Sequence, residues 1–164
     1  MELVDVLNKM KQKTGNICKR NELKSGEYRL SVHIWIMNEE NKILIQKRNN
    51  NLKMYPGIWE NAGGAVISRE DSITAIKREV KEELGIKIDE EKLTFIASFK
   101  RYKDFVDVFY IKDDIKIKDI NLKKDEVEDV RFVSFDELYK MYKNKEFAKS
   151  SFEYFKMYIT EYLK

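Results

Sequence analysis

The stretch REVKEELGI, Arg78 to Ile86, sets three glutamates, Glu79, Glu82 and Glu83, into five positions. Carboxylates repel, and crowding them gains little unless something cationic joins them. At about 100° per residue, Ile73, Ile76, Val80 and Leu84 share one stripe of a helix running from about Asp71 to Leu84. Asp71 or Ser72 can cap its start, and Gly85 stands where a left-handed C-terminal glycine belongs. The three glutamates gather on the flank beside that stripe, spaced i, i+3 and i+4, so their side chains converge. Arg78 lies four residues before Glu82 and can partly neutralise it. Glutamate is a good helix former, so an acidic stretch is often only a solvated face. Here the cluster borders the buried stripe, where like charges are costly without a cation. Oxygen ligands alone favour a hard divalent ion, Mg²⁺ or Mn²⁺, over zinc.

Working outward, Tyr28, Leu30, Val32, Ile34 and Ile36 alternate as one face of a strand. "MNEENK" reads as a turn and "ILIQKR" as the partner strand. A loop rich in Asn follows from Asn49 to Trp59, with a turn signal at Pro56-Gly57. Beyond the helix, "LTFIASFKR", "FVDVFYIK" and "VEDVRFVS" read as three more strands. Ser134 and Glu137 form a capping-box pattern for a helix through about Tyr142. From Ser150 onward, Phe152, Phe155, Ile159 and Tyr162 recur at helical spacing, the mark of core packing. "VDVL" and "KTGNIC" near the start suit a hairpin turning near Thr14-Gly15. Strands with helices on both sides predict an α/β or α+β sandwich.

Composition narrows the function. The 164 residues are 43% hydrophobic and 37% charged, which predicts one globular domain over residues 1–164. The net charge of +3 comes from lysines interleaved with acids, so neither DNA binding nor a polybasic membrane contact is expected. Cys18 is the one cysteine, which rules out an internal disulfide and a cysteine-based zinc cluster. With no signal-peptide pattern and no apolar run of membrane-span length, a cytoplasmic location is expected.

The wider spacing carries a resemblance. Gly64, Glu70, Arg78, Glu79, Val80, Glu82, Glu83, Leu84, Gly85 and Ile86 fall in the pattern G-x5-E-x7-R-E-U-x-E-E-x-G-U, where U is a bulky aliphatic residue. Chance agreement at one start site is on the order of one in a billion. By this motif over residues 64–86 the chain is identified as a member of the Nudix hydrolases, also called MutT-like. "ILIQKR", "YPGIW" and "AGG" before the box, and "DEVEDVRFVSFDEL" after it, are also similar.

The resemblance implies an α/β/α sandwich with a mixed sheet between helices. It implies hydrolysis of a nucleoside diphosphate linked to another moiety X, by water attacking phosphorus. One or more Mg²⁺ (or Mn²⁺) ions would orient the diphosphate and neutralise its charge. Glu79, Glu82 and Glu83 are the implied metal ligands and catalytic groups, with the Gly63 carbonyl as a further ligand. Glu70, Arg78, Gly64 and Gly85 support the site. Glu126, or else Glu128, is the candidate general base from a later loop; Glu82 or Glu79 is the alternative within the box. Arg48, Lys53, Arg101 and Lys103 could clamp phosphate oxygens, and Trp59 and Tyr102 could stack on a base. Lone His33, on the strand face opposite Leu30 and Ile34, reads as a bystander. The partner is a small diphosphate, and relatives are frequently homodimers. Two other readings remain. The segment before the box is also similar to isopentenyl-diphosphate isomerase, which needs a cysteine there; Cys18 lies far upstream. A non-catalytic nucleotide sensor is the second, and the complete glutamate set argues against it.

Overall fold

In the computed structural model, which describes residues 2–163, the chain opens with a hairpin of β1 (Leu3–Leu7) and β2 (Lys13–Lys19). There follow β3 (Arg29–Met37), β4 (Ile43–Arg48), β5 (Trp59–Glu60) and β6 (Gly63–Ala65), then helix α1 (Ser72–Leu84). After α1 come β7 (Thr94–Lys100), β8 (Asp104–Lys112), β9 (Val127–Val133) and helices α2 (Phe135–Lys143) and α3 (Lys149–Tyr158). Strands β5-β4-β3-β8-β7 make one sheet, with β6 added on β3 and β9 on β4. β3 and β8 run parallel while the other pairs are antiparallel, so the sheet is mixed.

The alternation along β3 divides the core in two. Val32, Ile34 and Ile36 point to one face and pack with Ile76, Val80 and Leu84 of α1. Trp35 and Met37 point to the other and pack with Leu138 of α2 and Phe152 and Phe155 of α3. Helices on both faces of a mixed sheet make the expected α/β/α sandwich. No helix among the described residues is long and apolar enough to cross a membrane.

Helix α1 has the caps its sequence predicts. The Asp71 side chain accepts from the Thr74 amide, and Gly85, at φ 68°, donates its amide to the Lys81 carbonyl. Ser134 and Glu137 close both halves of a capping box on α2. Two expectations need correction. The first hairpin turns at residues 8–12, not at Thr14-Gly15, because the Asn8 side chain accepts from the Met10 and Gln12 amides there. Ile73 is exposed, and Ala75 is buried in its stead. The buried arc of α1 is therefore centred further round the helix, and it contains Glu79 and Glu83 instead of merely bordering them.

One feature of the sheet positions the site. The edge of β3 is shared: Met37 faces Ile43 of β4, whereas Ser31, Val32 and His33 face Ala65, Gly64 and Gly63 of β6. The chain crosses between these partners at Asn61-Ala62, where Ala62 accepts from the Ile34 amide. Gly63 and Gly64 thus lie at an opening in the sheet, close under α1.

Candidate active site

Glu79 and Glu83 are each 8% exposed, while the Glu82 side chain is 47% exposed on the flank. Burial pushes the Glu79 carboxyl up to about pH 7, against the pull of Arg78 beside it. Glu83 is raised well above the ordinary carboxylate range, again by burial, with one hydrogen bond from Gln46 opposing it. Two carboxylates that resist ionisation in the same helix face are sites in need of a cation.

Arg78 supplies part of the compensation. Its Nε and Nη2 each lie 2.9 Å from a Glu70 oxygen, and its Nη2 also donates to the Ala65 carbonyl at 3.0 Å. Its Nη1 donates to Glu79 at 2.9 Å and lies 3.4 Å from Glu82. The bond to Glu70 comes first among the causes that hold this guanidinium well above its ordinary pKa. Glu70 is itself fixed by the Ile67 amide at 3.1 Å. So Glu70 orients Arg78, and Arg78 draws two box glutamates together.

The glycines matter for space. A Cβ on Gly64 would lie 2.3 Å from the Glu79 carboxyl carbon, and one on Gly63 would lie 2.8 Å from Cδ2 of His33. Only glycine lets Glu79 rest against the β6 backbone. These observations suit a hard cation: all donors are oxygens, two are buried, and a backbone cradle adjoins them. Among the described residues, however, no three His, Cys, Asp or Glu side chains stand ready at metal-holding spacing. The reason is visible in the bonds: Arg78 lies on Glu79 and Glu82, and Gln46 Nε2 donates to Glu83 at 3.0 Å.

The loop before β9 is tied to the end of α1. Asn121 and Lys123 donate their amides to the Leu84 and Glu83 carbonyls. This brings Glu126 close enough for its charge to raise Glu83 further. Glu126 itself accepts from Lys123 Nζ at 2.8 Å. Glu128 instead accepts from Asn50 on the loop after β4 and pairs with Lys47 of β4 itself.

The remaining candidates divide. Arg48 reaches Glu60 at 3.1 Å and the Met54 carbonyl at 3.1 Å, on the glutamate side of the sheet. Lys53 is exposed on the loop between β4 and β5. Lys103 is turned away to the Leu23 and Lys24 carbonyls. Arg101 lies on the opposite face, doubly bonded to Asp104 at 2.8 and 2.6 Å. Trp59 offers no open ring for a base: Arg131 covers it at 4.4 Å, and it packs on the core beneath α2 and α3. Tyr102, 89% exposed at the β7–β8 tip, has only Lys103 over its ring among the described residues. Cys18 sits on β2 of the first hairpin, paired with Val4, and not in the segment before the box.

Sequence reasoning passed over Gln46 and Glu60 and read His33 as a bystander. Gln46 was legible only as one of the polar residues of β4. Glu60, half-buried opposite Gln46 in register, is raised by burial against the pull of Arg48. His33 is half-buried, and its Nδ1 lies 2.6 Å from the Tyr154 hydroxyl. Burial, with Arg101 and Arg29 nearby, lowers its pKa to about 3, so the ring is neutral.

Comparisons with known proteins bear on the fold and the family. The NUDIX domain family matches residues 27–155. An uncharacterized Nudix hydrolase of Listeria monocytogenes is 38% identical over 90% of this chain and 88% of its own. An isopentenyl-diphosphate delta-isomerase of Photorhabdus laumondii is 30% identical over 67% of this chain and 63% of its own. The crystal structure of DR0079 from Deinococcus radiodurans superposes with a TM-score of 0.76 at 21% identity, covering 90% of this chain and 92% of that one.

Proposed function

Because the chain belongs to the Nudix hydrolase family, we propose that it cleaves the diphosphate linkage of a nucleoside diphosphate joined to a further group X. The observation that carries this reading is the burial of Glu79 and Glu83 in one face of α1, without enough positive charge to keep both ionised. Glu79, Glu82, Glu83 and the Gly63 carbonyl would hold Mg²⁺ or Mn²⁺. Such an ion, when bound, supplies charge neutralisation and Lewis acidity at the diphosphate.

The protein's own groups do the rest. Glu70 fixes Arg78, and Arg78 keeps Glu79 and Glu82 on one side of the helix. Gln46 holds Glu83 from the sheet side. Glu126 takes the proton from the attacking water as general base, and Lys123 beside it holds its carboxylate in place. Arg48, braced by Glu60, has a guanidinium edge left for a phosphate oxygen. Isomerase chemistry is disfavoured because the segment before the box has no thiol and Cys18 lies on the outer hairpin.

The test is a panel of nucleoside diphosphate derivatives incubated with Mg²⁺, with and without a chelator. A phosphate-containing product that disappears with the chelator is expected. A folded, metal-replete protein that releases none from any member of the panel overturns the proposal.

A further inference from the structure

Resting on the hydrolase reading, we infer that His33 selects the group beyond the diphosphate, donating a hydrogen bond from Nε2 to a carbonyl or hydroxyl oxygen of the nucleoside. The argument starts at the Tyr154 hydroxyl, where three side chains meet. Trp35 Nε1 donates to it at 3.1 Å and Asn61 Nδ2 at 2.9 Å. An indole N–H can only donate. The Asn61 amide is oriented by its Nδ2 also facing the Ile34 and Ala62 carbonyls, at 3.3 and 3.4 Å. Both lone pairs of the hydroxyl oxygen are then in use, so its proton goes to His33 Nδ1, 2.6 Å away. A neutral imidazole that accepts at Nδ1 carries its proton on Nε2.

The rest of the ring is placed as tightly. Nδ1 faces buried Tyr154, and Cδ2 faces Gly63. His33 is half-buried as a residue, and with Nδ1 and Cδ2 engaged, Nε2 is the ring nitrogen left for a ligand. Among the described residues nothing accepts from Nε2. Arg101 is near enough for its charge to act on His33: two of its nitrogens are on Asp104, and the third has no protein acceptor among the described residues. Asp104 is held in turn by the Ser31 hydroxyl at 2.7 Å. Two neighbouring donors and no open acceptor suit a ligand oxygen.

His33 is one strand from the glutamates. His33 pairs in register with Gly63, and Gly64, next along β6, lies against the Glu79 carboxylate. A strand is about 4.8 Å wide, less than the length of a nucleoside. The two bare glycines leave that strand without side chains in the way.

The chain has one histidine, so its imidazole nitrogens can be read without ambiguity by ¹⁵N NMR. In the free protein Nε2 should appear protonated and Nδ1 unprotonated; the reverse tautomer overturns the inference. The probes are the α,β-methylene analogues of ADP, GDP, CDP and UDP, with methylenediphosphonate as the diphosphate without a nucleoside, each with Mg²⁺. At least one nucleoside analogue should shift the Nε2 resonance, and methylenediphosphonate should not. Binding of the nucleoside analogues with His33 unmoved removes this inference and leaves the hydrolase reading standing. Binding of none of the five removes both. Kinetics with the best substrate give a second readout. His33→Leu should raise KM about tenfold with kcat nearly kept, and His33→Gln, which retains a donor, should recover part of it. Equal loss of kcat in both variants would assign His33 a structural role and overturn the inference.

Discussion

The two faces of the sheet treat buried polarity in opposite ways. Under α1, Glu79 and Glu83 are buried with like charge and too few partners, and both hold protons more tightly than free carboxylates do. Under α3, Trp35, Asn61 and His33 all bond to one hydroxyl, that of Tyr154. The first arrangement is incomplete without a ligand; the second is complete in the protein itself except at Asn61 Oδ1, which is buried without a partner. Buried polar groups that are left unsatisfied mark function, and those that are satisfied mark architecture. His33 stands at the boundary, with one nitrogen in the network and one outside it.

Mutation can break this contrast. Glu83→Gln should lower kcat on the order of a thousandfold while the metal-free protein stays folded, since a buried charge is removed. Kinetics in Mg²⁺ and thermal melting in a chelator check both halves; unchanged turnover would reject the metal-ligand assignment. Gly64→Ala separates site from fold more finely. Its new methyl meets the end of the Glu79 side chain, not backbone, so the carboxylate can swing aside. Turnover should fall by about a hundredfold, with stability changed by less than about 1 kcal/mol.

On the other face the emphasis reverses. Tyr154→Phe removes the shared hydroxyl, strands buried Trp35 Nε1 and leaves His33 Nδ1 without its partner, so it should destabilise by about 2–4 kcal/mol in denaturant unfolding. A loss below about 1 kcal/mol would show that the network is slack.

The smallest effect is a pH dependence of stability in the metal-free protein. Glu79, raised to about 7 from the usual 4.5, contributes stability fully present below 4.5 and lost as pH rises through 7. Glu83 acts in the same direction. His33, lowered from 6.5 to about 3, contributes stability present above 6.5 and lost as pH falls towards 3. Stability should therefore rise as pH falls from 8 to 6.5, rise less steeply once His33 begins to oppose it, and decline below 4.5. Saturating Mg²⁺ should flatten the upper limb and leave the acid one; melting curves across pH, with and without Mg²⁺, measure this.

Much of this was legible in the chain. Asp71, Gly85, Ser134 and Glu137 announce their helix ends because capping is local chemistry. The period-two pattern of β3 declares itself where Leu30, Val32 and Ile34 alternate with the polar Arg29, Ser31 and His33. The parallel pairing of β3 with β8 joins residues far apart in sequence, and no local pattern encodes it. Trp59, which could stack on a base or equally lid the core, was left open for a related reason. The loop after Arg48 carries no alternation, so nothing set which face of β5 the indole would take, and β5 is only two residues long. At the site, spacing revealed the glutamates because a helix converts it directly into direction. Gln46, Glu60 and the Tyr154 network depend on register between strands and on the docking of α3, which the sequence does not spell out.

The anchoring of the loop before β9 to the end of α1 has a further consequence. The donors from Asn121 and Lys123 are main-chain amides, so any residue except proline can supply them. Side chains along that loop are thus free to diverge while Glu126 keeps its distance from the helix. A segment whose position is guaranteed by its backbone is a place where substrate preference can be rewritten without touching the acidic machinery next to it.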